Sequence, residues 1–466
     1  MTSSVERLRG GHPLVVYIDL KSPYAFIAVE PTREMARALG VPIHWRPFTL
    51  DIPSYLGSAK VDRKKQVVSS HRTADQWTGV RYAYRDARRY ASLTGKTLRG
   101  TEKIWDSSLA GIAMLWAKRQ GEECLDRFLD EAYLAFWRRE LDIEDLGVLE
   151  QVLQSAGAKV DAFADYVAQE GRVEHDELNE KAFSAGVYGV PTYLVGDEMW
   201  FGREQLPRVE WLLKGGQGDA PDVANRSFGP SGETRRMHES RSIHDARTTA
   251  TNSQAEVGDG KLTVVLDLRY PQAYLAFHPA LRFAQHRGLA VDWLPFPAST
   301  LKPPTAPLEG EGRSVQHRRI RAEAIAREIE VYADRQGLEL REFYRSEEST
   351  AFNLGWLWVR EYHAEHLENF LSEAFRAYWA VEFDPASESE VAALIEGLDQ
   401  GLDARRYRAW CREKGPESFE STIQDLRDRG VFAAPSYLIG EEIFLGRQHL
   451  PMIDWLLQGR SDAIPI

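Results

Sequence analysis

The stretch Leu14-Val15-Val16-Tyr17-Ile18-Asp19-Leu20-Lys21-Ser22-Pro23-Tyr24-Ala25-Phe26-Ile27-Ala28 changes character in its middle. Its first five residues are a continuous apolar run, the pattern of a buried strand. Ser22-Pro23 then opens a helix, with serine as N-cap and proline at the first helical position, where a missing N–H costs nothing. The spacing predicts a strand over Leu14–Asp19, a helix over Pro23–Leu39 ended by Gly40, and a second strand over Pro42–Pro47. Strand, helix, strand in that order implies a parallel pair joined by a right-handed crossover.

Further along, roughly Asp62 to Phe183 carries helical apolar spacing, as in Leu109, Ile112, Ala113 and Trp116 and in the run Cys124–Trp137. Two short strands are expected at Thr192–Val195 and Met199–Phe201, turning at Gly196-Asp197, with a last helix from about Arg203 to Leu213. The order is β-α-β, a helical insert, then β-β-α. That is an α/β chain of thioredoxin-like arrangement with a helical domain inserted in its middle.

The chain says this twice. Asp19–Ala28 lines up with Asp267–Ala276, Trp45–Phe48 with Trp293–Phe296, and Ala135–Trp137 with Ala377–Trp379. The 28 residues from Gly186 pair with those from Gly430, roughly half of them identical. Four matches in one order at nearly constant offset mark a tandem duplication, with a period far beyond the ~20–50 residues of a solenoid. The expected domains are 12–215 and 261–460, joined by a Gly-, Ser- and Asp-rich segment at 216–260. That segment reads either as a flexible linker or as an ordered arm packed on one domain.

Composition removes several function classes. The formal charge of −12, with Lys and Arg scattered among acids, argues against a nucleic-acid partner. Two cysteines far apart, Cys124 and Cys411, make neither a disulfide framework nor a metal spacing, and fit a reducing compartment. No apolar run approaches the ~18 residues of a membrane span and the N-terminus lacks a signal-peptide core, so the cytoplasm is expected. Gly-rich phosphate loops and Ser-His-Asp signatures are missing too.

Four features remain as candidates. Ser22 is either a plain cap or a hydroxyl held where a helix N-terminus favours an anion, such as a ligand thiolate. Val190-Pro191 is either a simple strand start or a cis-proline turn presenting the Val190 backbone to an extended peptide. Tyr82, Asp86 and Arg89 fall on one helix face, where Asp86 and Arg89 are either a solvated pair or part of a site. Glu204, after Arg203, is either a dipole-favoured acid at a helix start or an acceptor for a ligand ammonium.

Taken together, Asp19–Ala28, the Tyr82-x-x-x-Asp86-x-x-Arg89 helix and Gly189–Gly202 resemble 2-hydroxychromene-2-carboxylate isomerase and kappa-class glutathione transferase, members of the DsbA-like group with a thioredoxin fold. The resemblance covers most of residues 13–213 and, more weakly, 262–458. It implies a glutathione-dependent isomerase or transferase acting on an unsaturated or aromatic carbonyl compound. By the same resemblance Ser22 contacts the glutathione sulfur in place of a redox cysteine, Val190 before Pro191 pairs with the cysteinyl backbone, and Glu204 holds the γ-glutamyl amine. Tyr24, Arg203, Asp86 and Arg89 join the binding set.

The loop after the second strand departs from the relatives' Gly-Asn-x-Pro-Pro-like pattern, leaving Lys60 or Arg63 to meet the glycine end. Copy two departs further, with Tyr270 for Ser22, Gln272 for Tyr24, Ala434 for Val190 and Gln448 for Glu204. It reads as a degenerate copy forming an internal pseudo-dimer with the first, a further homodimer being compatible. The alternative is a non-catalytic protein that holds a peptide at the cis-proline edge. A disulfide oxidoreductase stands third, since no redox dithiol is present.

Overall fold

A computed structural model describes residues 3–56, 59–61, 67–70, 73–224, 261–399, 402–460 and 464–465. They form two compact units. The first takes residues 1–221 with 304–325, the second 222–303 with 326–465. These units depart from the expected domain boundaries at two places. Residues 304–325, numbered within the second copy, pack as part of the first unit, and Asp222 to Ala224, numbered within the joining segment, are buried in the second. Arg313 and His317 in the first stretch and Asp222 in the second find partners there, as described below. Residues 225–260, the rest of the expected linker, lie outside the described residues.

The first unit begins with a helix not anticipated from the sequence, α1 (Ser4–Arg9), capped by Ser3. Then follow β1 (Leu14–Ile18), α2 (Pro23–Leu39), β2 (Ile43–Pro47), α3 (Ile52–Leu56), a small hairpin of β3 (Ala59–Val61) and β4 (Val67–Ser70), and the helices α4 (Ala74–Leu93), α5 (Ser108–Arg119), α6 (Glu122–Arg138), α7 (Leu146–Ser155), α8 (Phe163–Tyr166) and α9 (Arg172–Ser184). The hairpin β5 (Thr192–Val195) and β6 (Glu198–Phe201) leads through a 3-10 turn, Arg203–Gln205, into α10 (Leu206–Leu213).

The sheet order is β2-β1-β5-β6, with β1 parallel to β2 and antiparallel to β5. Every residue of β1 is buried, as its unbroken apolar run requires. The helical insert grips the sheet-side helix through aromatic rings. Phe26 of α2 stacks on Tyr133 and Trp137 of α6, with ring centroids 5.6 and 6.0 Å apart. Phe128, Leu129 and Trp137 are fully buried on the same helix, each contributing about 1.5–3 kcal/mol of burial energy.

The second unit repeats the plan with β7 (Lys261–Leu266), α11 (Pro271–Arg287), β8 (Ala290–Pro295), α12 (Arg313–Gln336), α13 (Thr350–Tyr362), α14 (Leu367–Trp379), α15 (Glu388–Leu398), α16 (Ala404–Glu413), α17 (Gly415–Asp428), β9 (Ser436–Ile439), β10 (Glu442–Leu445) and α18 (Leu450–Leu457). By the unit boundaries, the first residues of α12 belong to the first unit. The sheet runs β10-β9-β7-β8, the same topology. Val265, Leu294, Leu438 and Ile443 of the sheet pack with Ile423 and Leu426 of α17. Among the described residues no helix is long and apolar enough to cross a membrane.

Candidate functional site

In the first unit the site grows from the turn between β1 and α2. The buried carboxylate of Asp19 accepts from the backbone N–H of Lys21 (3.2 Å) and of Leu50 (2.8 Å). Its backbone carbonyl accepts from Ser22 N–H (3.0 Å) and from the Tyr133 hydroxyl (3.1 Å). One acid therefore ties the turn to the loop after β2 and, through α6, to the helical insert. The Lys21 ammonium lies 3.8 Å from Asp19 and donates to the Trp105 carbonyl at 3.0 Å.

Ser22 caps α2: its Oγ accepts from Ala25 N–H at 3.2 Å, and its hydroxyl faces the carbonyl oxygen of Val190 at 3.4 Å. It is 4% exposed. The Val190–Pro191 bond is cis, as is Ala434–Pro435 in the second unit. The Pro191 carbonyl then accepts from Gly202 N–H (3.0 Å), so the end of β6 is stitched to the same turn.

The remaining candidates form a second group beside it. The Tyr24 hydroxyl donates to Asp86 at 3.3 Å, and Arg89 donates to the other oxygen of that carboxylate at 2.7 Å. Asp86 is 3% exposed, so the pair is not a solvated surface pair. Burial, and next the charge of Asp86, raise the Tyr24 hydroxyl well above its ordinary range and keep it a donor. Arg203 is buried with its guanidinium 3.5 Å over the Tyr90 ring. Burial pushes the Tyr90 hydroxyl up to about 12, against the pull of Arg203.

Glu204 does not open a helix, as the sequence suggested, but sits in the 3-10 turn. Pro207, suited to the first turn of an α-helix, places the start of α10 at Leu206. The Glu204 carboxylate lies back against Gly202, whose φ of 108° puts it in the left-handed region open to glycine. Arg63 lies outside the described residues, as does the side chain of Lys60.

A cavity of about 490 Å³ opens beside the turn between β1 and α2, lined among others by Lys21, Leu50, Asp51, Trp105, Asp106 and Arg313. Burial works against ionisation of Asp106, but hydrogen bonds from Ser108 and the charge of Lys21 hold it below the usual carboxylate range. Asp19, Lys21, Trp105 and Arg313 were not singled out from the sequence. For Asp19 a signal existed: it pairs with Asp267 in the repeat, and Asp267 likewise accepts from a backbone N–H past the second strand, that of Ala298 at 2.7 Å. Among the described residues no group of His, Cys, Asp and Glu could hold a metal, and Cys124 and Cys411 are free and buried.

In the second unit the corresponding positions are closed by the protein itself. Arg447, matching Arg203, donates to Gln272 (2.8 Å), which stands where copy one has Tyr24. Its Nε donates to Asp222 at 3.2 Å, and Gln336 donates to the other Asp222 oxygen at 3.0 Å. Asp222 is 1% exposed and Arg447 3%. Tyr270 stands at the N-cap of α11, where its side chain makes no capping bond to the helix.

These features define a duplicated thioredoxin-like protein with a helical insert in each copy, and the chain belongs to the DsbA-like thioredoxin domain family, whose model matches residues 13–214 and again 261–458. It is similar to a 2-hydroxychromene-2-carboxylate isomerase of Sphingobium xenophagum, 25% identical over 198 residues, 42% of this chain and 95% of that protein. A protein of the same name from Pseudomonas putida is 24% identical over 199 residues, 42% of this chain and 90% of its own. Among solved structures, a 2-hydroxychromene-2-carboxylate isomerase aligns at 19% identity with a TM-score of 0.34, over 43% of this chain and 95% of its own.

Proposed function

We propose that the first unit binds glutathione with its sulfur at Ser22 and works as an isomerase or transferase on an unsaturated or aromatic carbonyl compound. The observation that carries this reading is the place of the Ser22 hydroxyl: at the N-terminus of α2, 3.4 Å from the Val190 carbonyl, one residue beyond the cavity-lining Lys21. Glutathione when bound would supply a thiolate that adds reversibly to a conjugated double bond, allowing rotation about it before elimination.

The residues present suit such a ligand. A turn of the Ser22 hydroxyl away from Val190 gives up one hydrogen bond, about 1 kcal/mol, and aims its proton at the sulfur. The α2 N-terminus favours the anion by a further ~0.3–1 kcal/mol. The carbonyl that Ser22 releases is then open to a backbone N–H of the ligand. Glu204 offers a carboxylate for the γ-glutamyl ammonium, and Lys21 an ammonium at the cavity wall for a ligand carboxylate. The cavity of about 490 Å³ has the size of a small-molecule site.

The test is calorimetric titration of the whole chain with glutathione, alongside Ser22→Ala. Binding at one site, weakened by the substitution, supports the reading; a Ser22→Ala protein that binds as wild type removes the serine from it.

A further inference from the structure

The first unit's site borrows residues that belong, by chain position, to the second copy. The second family match begins at residue 261, yet residues 304–325 pack inside the first unit. Two of them reach the site. Arg313 lies on the wall of the cavity beside Lys21, pairs with Glu180 of α9 at 3.0 Å and sets its guanidinium 4.0 Å over the Phe183 ring. His317, 8% exposed, places Nε2 at 2.8 Å from the carbonyl oxygen of Tyr188.

A carbonyl only accepts, so Nε2 carries the proton and donates. Tyr188 begins the turn Tyr188-Gly189-Val190-Pro191. Its ring rests on Phe201 with centroids 4.9 Å apart, and the His317 ring meets it edge-on at 6.1 Å. Phe201 also packs so closely under Gly189 that an added methyl would stand 2.6 Å from it. The turn that faces Ser22 is thus held by Phe201 and pinned by His317.

We infer that the segment Pro304–Ile325 completes the first unit's site, with His317 as a positioning residue that fixes the Tyr188–Pro191 turn opposite Ser22. This gives the second copy a purpose that its altered site residues do not: it carries a piece of the first site. Burial lowers the ring's proton affinity, which keeps His317 a neutral donor to one carbonyl. The inference deepens the reading above and rests on it for the identity of the ligand alone.

The test uses the full chain and two substitutions of similar bulk. His317→Phe keeps a ring and loses the donor; His317→Gln keeps a donor. Hydrogen exchange without ligand is read at the Val187–Val190 amides, with α6 as a control for folding. The expected result is exchange at least about tenfold faster in His317→Phe and near wild type in His317→Gln, with α6 unchanged. Equal exchange at the turn in all three proteins overturns the inference. Glutathione titration of the same set separates the two claims. If wild type binds, affinity should fall about tenfold in His317→Phe and recover in His317→Gln; an unchanged affinity overturns the positioning role. If wild type binds no glutathione, the functional reading falls, and the exchange result alone decides the role of His317.

Discussion

The methyl-free Gly189 and the ring of Phe201 are fitted to each other: a Cβ built on Gly189 stands 2.6 Å from the ring. The repeat supplies a natural comparison. Where copy one has Gly189 and Phe201, copy two has Ala433 and Leu445. The smaller leucine leaves room for the alanine, so the two positions trade volume across the hairpin.

Gly189→Ala should therefore destabilise the first unit by about 1–3 kcal/mol through overpacking. Adding Phe201→Leu should recover part of that loss, a coupling of neighbours measurable in a double-mutant cycle by urea unfolding. Purely additive effects would contradict the fit.

Asp19 should be among the costliest polar positions in the chain. Asp19→Ala removes acceptors for two backbone N–H groups and leaves the Lys21 ammonium beside an apolar gap. A loss of about 3–5 kcal/mol is expected for such a broken buried pair, and a smaller loss for Asp19→Asn, which keeps one acceptor. Denaturation followed by tryptophan fluorescence checks the order of the two variants.

In the second unit the same logic applies to Asp222 and Arg447. Asp222→Ala strands a buried guanidinium and should cost about 3–5 kcal/mol, seen as faster hydrogen exchange in α11 and β9. A neutral outcome would mean that Arg447 finds other acceptors without effort.

Acid sensitivity has an identifiable source. Burial, and then the charges of Lys118 and Arg46, hold His44 down to about 3, and Lys118 donates to its Nε2 at 2.9 Å. The folded ring stays neutral while the unfolded ring takes a proton below its ordinary 6.5. Its contribution is thus full above about pH 6.5 and is lost as pH falls toward 3. His44→Gln should narrow the gap in melting temperature between pH 7 and pH 4.5.

Much of this was legible because it is local. Ser22-Pro23 announced a capped helix, and Asp86 and Arg89 announced a pair three residues apart on one face. The duplication was legible because sequence repeats need no structure to be seen. What escaped depends on partners far along the chain. Tyr24 meets Asp86 across 62 positions and His317 meets Tyr188 across 129, and no local pattern encodes either. Of the small hairpin, β3 lies in the stretch read as a loop and β4 in the stretch read as helical, because both strands are short and carry little alternation of their own.

The proposal that Ser22 holds a ligand sulfur is met most directly by glutathione titration of wild type against Ser22→Ala. A single site per chain is expected in wild type, with at least about tenfold weaker binding in the variant and its fold intact. Equal binding by the two proteins, or no binding by either, would contradict it.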